Sequence, residues 1–134
     1  MRLTRASSYA LYAVVHMANQ KNNRPTPSHL VARARKIPER FLLKVLKPLV
    51  SARVLHSVKG PNGGYRLARP AAQITLLEIV EAVDGPLQAH APLSESEGSN
   101  PLNRKLEAIC KQGTDLERRQ LERVRLSDLM GGRK

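Results

Sequence analysis

Cysteine is almost absent from this 134-residue chain, and a single thiol, Cys110, excludes an internal disulfide or a cysteine-built metal cage. One cysteine also fits a reducing cytoplasm, where the protein is expected to reside. Tryptophan is missing and aromatics make up only 3% of residues, so the core has to be assembled from Leu, Val, Ile and Ala, which suits helices. No apolar run approaches the roughly 20 residues a membrane-spanning helix needs, so no integral membrane protein is expected. The first twenty residues carry Arg2 and Arg5, several Ser and Ala and no acid, which superficially resembles an organelle presequence, yet they lack the apolar core and cleavage region of a secretory signal. They read instead as a first helix. The length allows one compact domain with room for one appended element.

Acids are scarce in one half only. Residues 1–70 hold 14 Lys plus Arg against a single acid, Glu39, a net of +13. Residues 71–134 hold 9 against 10, a net of −1, so the whole excess of +12 lies in the first half. A solubility device would scatter charge, whereas a segregated excess is the footprint of a polyanion-binding surface. Membranes and RNA are polyanions too, so the choice among them has to come from pattern.

The pattern is helical at first. Thr4 reads as an N-cap, and Ala6, Ala10, Ala13, Val14 and Met17 recur at helical spacing from about Arg5 to Gln20, with Tyr9 beside them. Thr26-Pro27 reads as cap and first residue of a second helix whose Leu30, Val31 and Ala34 face inward. After a short break at Arg35 and Lys36, Pro38 opens a third helix, with Glu39 in its first turn where the dipole favours an acid. Phe41, Leu42, Val45, Leu46 and Leu49 form its expected buried stripe. Arg40, Leu43, Lys44 and Lys47 occupy the opposite face, and Pro48 is expected to kink or shorten the helix. Two short helices, a tight turn and a basic outer face describe a helix-turn-helix.

A hairpin follows. Val54–Val58 alternates as a strand, Lys59-Gly60-Pro61-Asn62-Gly63 is dense turn chemistry, and Gly64–Ala68 returns. A hairpin straight after a recognition helix is a wing, small enough at its tip to approach phosphates or enter a minor groove. Thr75 and Glu78 form a capping box that starts a fourth helix running to Gly85. Residues 86–101, rich in Pro, Ser and Gly, are expected to be a flexible loop. A long helix begins at about Leu102. Leu102, Leu106, Ile109, Gly113, Leu116 and Gln120 alternate in steps of four and three, Leu121 and Val124 continue the stripe, and Cys110 lies on it. Such a seam outside the core needs a partner, and a second copy of the chain is the expected one. The fold class is therefore mainly α with a small β-hairpin. It comprises a winged helix-turn-helix domain over 1–85, the loop over 86–101, and a dimerisation helix with C-terminal tail over 102–134.

Gly60-Pro61-Asn62-Gly63-Gly64-Tyr65-Arg66-Leu67-Ala68-Arg69-Pro70 resembles the wing signature of the Rrf-two family of bacterial repressors, which includes the iron–sulfur cluster regulator. Met1-Arg2-Leu3-Thr4 with Tyr9-Ala10, Ile74-Thr75 through Asp84, and Val124–Leu129 are similar to that family as well, so the likeness spans essentially the whole chain. The resemblance implies major-groove contact by Pro38, Glu39, Arg40, Leu43 and Lys44, and Lys47, on the same basic face, is expected to join them. It implies wing contact by Lys59, Gly60, Pro61, Asn62 and Gly63, and backbone contact by Arg2, Arg5 and Tyr9; Arg66, on the returning strand of the wing, is expected to add to the wing contact. The iron–sulfur regulator has a glutamate where this chain has Leu43, which can touch a thymine methyl but cannot accept from cytosine, so the operator is expected to differ. The positions matching its three cluster cysteines are Pro92, Gly98 and Arg104, with Glu107 where a histidine can occur, so no cofactor is expected.

Cys110 on an apolar stripe is read as a small buried hydrophobe, with a redox link across a dimer as the alternative. Tyr9 and Tyr65 read as packing residues, and Tyr9 can still offer its hydroxyl to a phosphate. His16, His29, His56 and His90 show no metal-ligand spacing, and Glu95 and Glu97 have no catalytic partner, so no enzyme is expected. The sequence thus points to a regulator, a repressor by resemblance, whose partners are double-stranded DNA and a second copy of itself. Two alternatives stand beside it. One is a protein of the same fold that docks onto a partner enzyme. The other is an RNA-binding module, disfavoured because duplex RNA closes its major groove to a helix and stacking aromatics are few.

Overall fold

The computed structural model describes residues 2–88 and 100–131, so Pro92, Gly98, His90, Glu95 and Glu97, in the loop expected over 86–101, lie outside the described residues. Helix α1 (Arg5–Ala18) starts as its sequence suggests, with the Thr4 hydroxyl accepting from the Ser7 amide at 3.0 Å. It ends two residues before the expected Gln20. The following turn bends through Asn22 and Asn23, both left-handed at φ 57° and 52°, a conformation Asn tolerates. Ala10, Ala13, Val14 and Met17 are fully buried.

Helix α2 (Ser28–Arg35) departs from expectation at its start. Pro27, not Thr26, is its N-cap residue, and no side chain caps it. Thr26 is engaged elsewhere: its N–H donates to the Tyr65 carbonyl, and the Tyr65 N–H returns the bond, both at 2.9 Å. The inward face of α2 is also rotated. Val31 and Ala32 are buried, whereas Leu30 and Ala34, expected inside, are exposed.

Helix α3 (Glu39–Ser51) follows a turn in which Lys36 is left-handed at φ 56° and Ile37 is buried, its N–H donating to the Ala32 carbonyl at 2.9 Å. Leu42, Val45, Leu46 and Leu49 face the core as expected, but Phe41 stands 49% exposed. At about 100° per residue, Phe41 falls at the edge of the buried arc, and the core closes without it. Pro48 does not shorten the helix, which runs three residues further. The bond it removes would go to the carbonyl of Lys44, on the exposed face of the helix.

Strands β1 (Leu55–Val58) and β2 (Gly64–Leu67) pair antiparallel, with Leu55 opposite Leu67 and Val58 opposite Gly64. Helix α4 (Leu76–Asp84) opens with the complete Thr75–Glu78 capping box and stops at Gly85. Its last residue serves α1: the Ser7 and Thr4 hydroxyls donate to the Asp84 carboxylate at 2.6 and 2.9 Å. An acid at the positive end of α1 is favoured by the helix dipole.

Helix α5 (Pro101–Arg123) is capped by Asn100, whose side chain accepts from the Leu102 amide at 2.7 Å. Its last turn comes back to the winged-helix body. The Leu76 amide donates to the Val124 carbonyl and the Leu126 amide to the Ile74 carbonyl, each at 2.8 Å. The short helix α6 (Leu126–Leu129), absent from the sequence reading, then inserts Leu126 fully buried into the core with Ile74 and Ile79.

Candidate nucleic-acid interface

The outer face of α3 follows from burying the inner one. With Leu42, Val45, Leu46 and Leu49 directed inward, helical geometry turns Arg40, Leu43, Lys44 and Lys47 outward, and all four are exposed. Phe41 borders this face, with the Lys44 ammonium 5.8 Å from its ring centroid, a cation–π distance that steadies Lys44. Glu39 is exposed too, and its carboxylate accepts from the Ser28 hydroxyl at 2.9 Å, joining the starts of α2 and α3. Pro38 precedes it as the N-cap residue.

Lys59, Gly60, Pro61 and Asn62 form the exposed wing tip, closed by the Gly63 amide donating to the Gly60 carbonyl at 3.0 Å. Gly63 itself is buried, and a Cβ there would meet the Val58 carbonyl oxygen at 2.0 Å. Arg66 is half-buried on β2. The outer edge of β2 is not left open. Thr26 pairs with Tyr65, and the Asn23 side-chain amide both donates to the Leu67 carbonyl and accepts from its N–H, at 3.0 and 3.1 Å. The turn between α1 and α2 thus acts as a partial third strand that fixes the wing against the helix-turn-helix.

Two ion pairs occur among the described residues, Arg69–Glu78 and Arg118–Glu81, and neither uses the recognition helix or the wing tip. Arg40, Lys44, Lys47, Lys59 and Arg66 are therefore not neutralised within the described chain, the state a phosphate-binding surface requires. Arg2 and Arg5 are exposed at the start of α1, and Tyr9 packs partly against the core. His16 adds nothing to this charge. Burial and the nearby Arg35 push its pKa below the ordinary 6.5, so it is neutral at pH 7.

Arg69, read from sequence only as part of the wing signature, has a positioning role. Its guanidinium donates to the Arg53 carbonyl after α3 at 3.1 Å, to the Gln73 carbonyl at 3.0 Å, and to Glu78 of α4 at 2.5 Å. One side chain thus ties the base of the wing to the end of the recognition helix and to α4. Burial raises the Glu78 pKa, but the hydrogen bonds from Arg69 and Thr75 and the Arg69 charge outweigh it, leaving a net lowering. A lowered carboxylate pKa contributes stability that is complete above the unfolded value near 4.5 and is lost as pH falls through the folded value. Arg69→Ala is therefore expected to destabilise the fold by about 1.5–3 kcal/mol at pH 7, the range for hydrogen bonds to charged groups. The gap from wild type in melting temperature should narrow below pH 4.5, leaving the part due to the two carbonyl bonds. A gap constant with pH would remove Glu78 from the account.

Along α5 the expected seam divides. Leu102, Ile109 and Leu116 are 61%, 62% and 64% exposed, Leu106 is 38% exposed, and Gly113 is open as well. Leu121, placed on the same stripe from sequence, is instead buried within the chain, because the end of α5 packs on α4. Val124 ends the helix half-buried, its carbonyl occupied by Leu76. Cys110 is half-buried, beside an open groove lined by Leu87, Arg104, Glu107, Lys111 and Arg118. No helix among the described residues is long and apolar enough to cross a membrane.

A family model described as Rrf2, iron-dependent transcriptional regulator, matches residues 3–132. The chain belongs to the Rrf2 family of transcriptional regulators. The HTH-type protein Rv1287 of Mycobacterium tuberculosis is 30% identical over 135 residues, 98% of this chain and 83% of its own. CymR of Bacillus subtilis, an HTH-type transcriptional regulator, is 26% identical over 106 residues, 79% of this chain and 75% of its own. Among solved structures, Staphylococcus aureus CymR in its oxidized form is similar with a TM-score of 0.76 at 23% identity, over 100% of this chain and 99% of its own. IscR of T. potens gives 0.73 at 20% identity, over 96% and 85%. These two are likenesses of fold. As an Rrf2 protein the chain is a non-enzymatic helix-turn-helix regulator of transcription whose partner is DNA.

The Rrf2 description names iron, but the donor set here does not fit a cysteine-held cluster. The sequence has one cysteine, and among the described residues no three His, Cys, Asp or Glu side chains come together as a metal group.

Proposed function

We propose that this Rrf2 protein binds a near-palindromic operator as a homodimer and represses the promoter it covers. The observation that carries the DNA reading is the outer face of α3: three exposed cations, Arg40, Lys44 and Lys47, without an acid partner, flanked by exposed Leu43 and set beside the wing. Arg40 is suited to a guanine edge and Leu43 to a thymine methyl. The dimer reading is supported by α5, whose Leu102, Ile109 and Leu116 are left exposed by the described residues of a single chain. Two copies related by a two-fold axis present two recognition helices, and half-sites about 34 Å apart lie in successive major grooves on one face of the duplex. A dimer seated on a promoter excludes polymerase from it, which is the repressor reading.

The test is fluorescence anisotropy with duplex DNA from upstream of the protein's own gene and, in parallel, duplexes selected from a random pool. Tight binding that falls steeply with salt and prefers the selected sequence is expected. Arg40→Ala and Lys44→Ala should each weaken binding about 5- to 150-fold, the range for one lost base or phosphate contact, with unchanged circular dichroism. Unchanged affinity in both variants would remove α3 from the interface.

A further inference from the structure

Half of the cations in residues 1–70 lie outside the recognition helix, the wing and the chain start through Arg5, and one of them stands beside the wing tip. Arg24 follows the turn at Lys21–Asn23 and is exposed. The Thr26–Tyr65 pair brings its segment along the edge of β2, so that Arg24, Pro25 and Pro27 face Pro61, Asn62 and Gly63 across an open cleft of about 530 Å³. The Arg24 guanidinium makes no ion pair or hydrogen bond among the described residues, and neither does the exposed Asn62 side chain. β1 packs beside α3, while β2 carries the Arg24 segment on its other edge, so the hairpin stands between the two.

We infer that this cleft is a phosphodiester site, in which Arg24 and Asn62 hold a backbone phosphate flanking the groove that the wing enters. The chemistry fits one phosphate. A guanidinium offers paired N–H donors to two phosphate oxygens, and the Asn62 amide adds a neutral donor from the opposite wall. The walls are stiff before any ligand arrives. Three prolines fix their own φ angles, and the paired bonds between Thr26 and Tyr65 hold the two walls together, so little order has to be gained on binding. Among the described residues no acid pairs with the guanidinium, and Glu39, the sole acid before residue 71, accepts from Ser28. Arg24 thus extends the cationic track beyond the wing, on the side away from α3.

This site rests on the DNA reading above, and the experiment separates the two. Arg24→Ala and Arg24→Gln are titrated against the selected operator over a range of salt, with a parallel scan in which single phosphates are replaced by neutral methylphosphonates. Arg24 contacts nothing that holds the fold, so both variants should melt as wild type. Affinity near 0.15 M salt should fall about five- to tenfold, and the slope of log K against log salt should drop by about 0.9 for each half-site. One phosphate per half-site, whose neutralisation weakens the wild type, should cease to matter in either variant. Wild-type binding with an unchanged slope and phosphate profile in both variants would overturn the cleft alone. Failure of the wild type to bind any duplex would overturn the DNA reading and the cleft with it.

Discussion

Ile109→Asp, alone or with Leu116→Asp, is expected to convert the protein to a monomer and to lower operator affinity by roughly a hundredfold or more. Helix α5 spans 23 residues, roughly 34 Å, and keeps Leu102, Leu106, Ile109 and Leu116 along one side while its final turn is occupied by the chain's own core. Covering a side chain of this size is worth about 1.5–3 kcal/mol, and a two-fold axis counts each residue twice. An aspartate in that seam loses the gain and adds two carboxylates that face each other without a partner. Both positions are more than 60% exposed in the single chain, so the substitutions leave the monomer fold intact. The same is not true of Leu121, which is buried and whose replacement would damage the fold itself. Light scattering reads the mass, and anisotropy reads the lost coupling between two half-sites. A persistent dimer in the double variant would remove the α5 seam, and retained affinity in a monomer would remove the two-fold operator.

The features legible in the sequence are those whose causes lie close together in the chain. The capping box of α4 needs only Thr75 and Glu78, three residues apart, and the wing needs only its own turn residues and alternation. The positive sign of the outer face of α3 was legible for a different reason: with one acid among residues 1–70, little but cations was available to line it. Where the reading failed, a distant partner decided. Thr26 has the chemistry of an N-cap, but Tyr65, 39 residues away, offers two backbone bonds and takes it. Phe41 and Leu30 satisfy helical spacing for an inward face, yet periodicity gives the direction of a buried arc and not its width. Leu126 lies at the core because α5 returns to the body at Val124, and nothing within α5 announces that return. Arg69 and Arg24 follow the same rule. Each acquires its role from neighbours assembled by the fold, three elements around Arg69 and the Thr26–Tyr65 pair beside Arg24.

The second large effect is expected at that pair. Gly64→Ala should cost about 2–4 kcal/mol of stability and abolish most operator binding even at temperatures where the protein stays folded. Gly64 has φ +144°, a conformation that L side chains rarely adopt. Space is the harder constraint. An added Cβ would lie 2.3 and 2.4 Å from the carbonyl carbon and oxygen of Thr26 and 2.6 Å from the Pro27 nitrogen. These are backbone atoms, and Pro27 is the N-cap residue of α2, so they cannot rotate aside as a flexible side chain would. The strain has one outlet, which is separation of Thr26 from Tyr65 and loss of both 2.9 Å bonds. Once the edge opens, the amide clasp of Asn23 on Leu67 loses its register, and β2 loses its backbone tie to the α1–α2 turn. Amide hydrogen exchange at Thr26 and Tyr65 reads the opening directly, beside a melting curve and an operator titration. Faster exchange at both amides with weakened binding is the expected result, because wing position and not wing chemistry has changed. Wild-type exchange and affinity in Gly64→Ala would mean that the wing does not depend on this seam, and the third-strand role of the α1–α2 turn would fall.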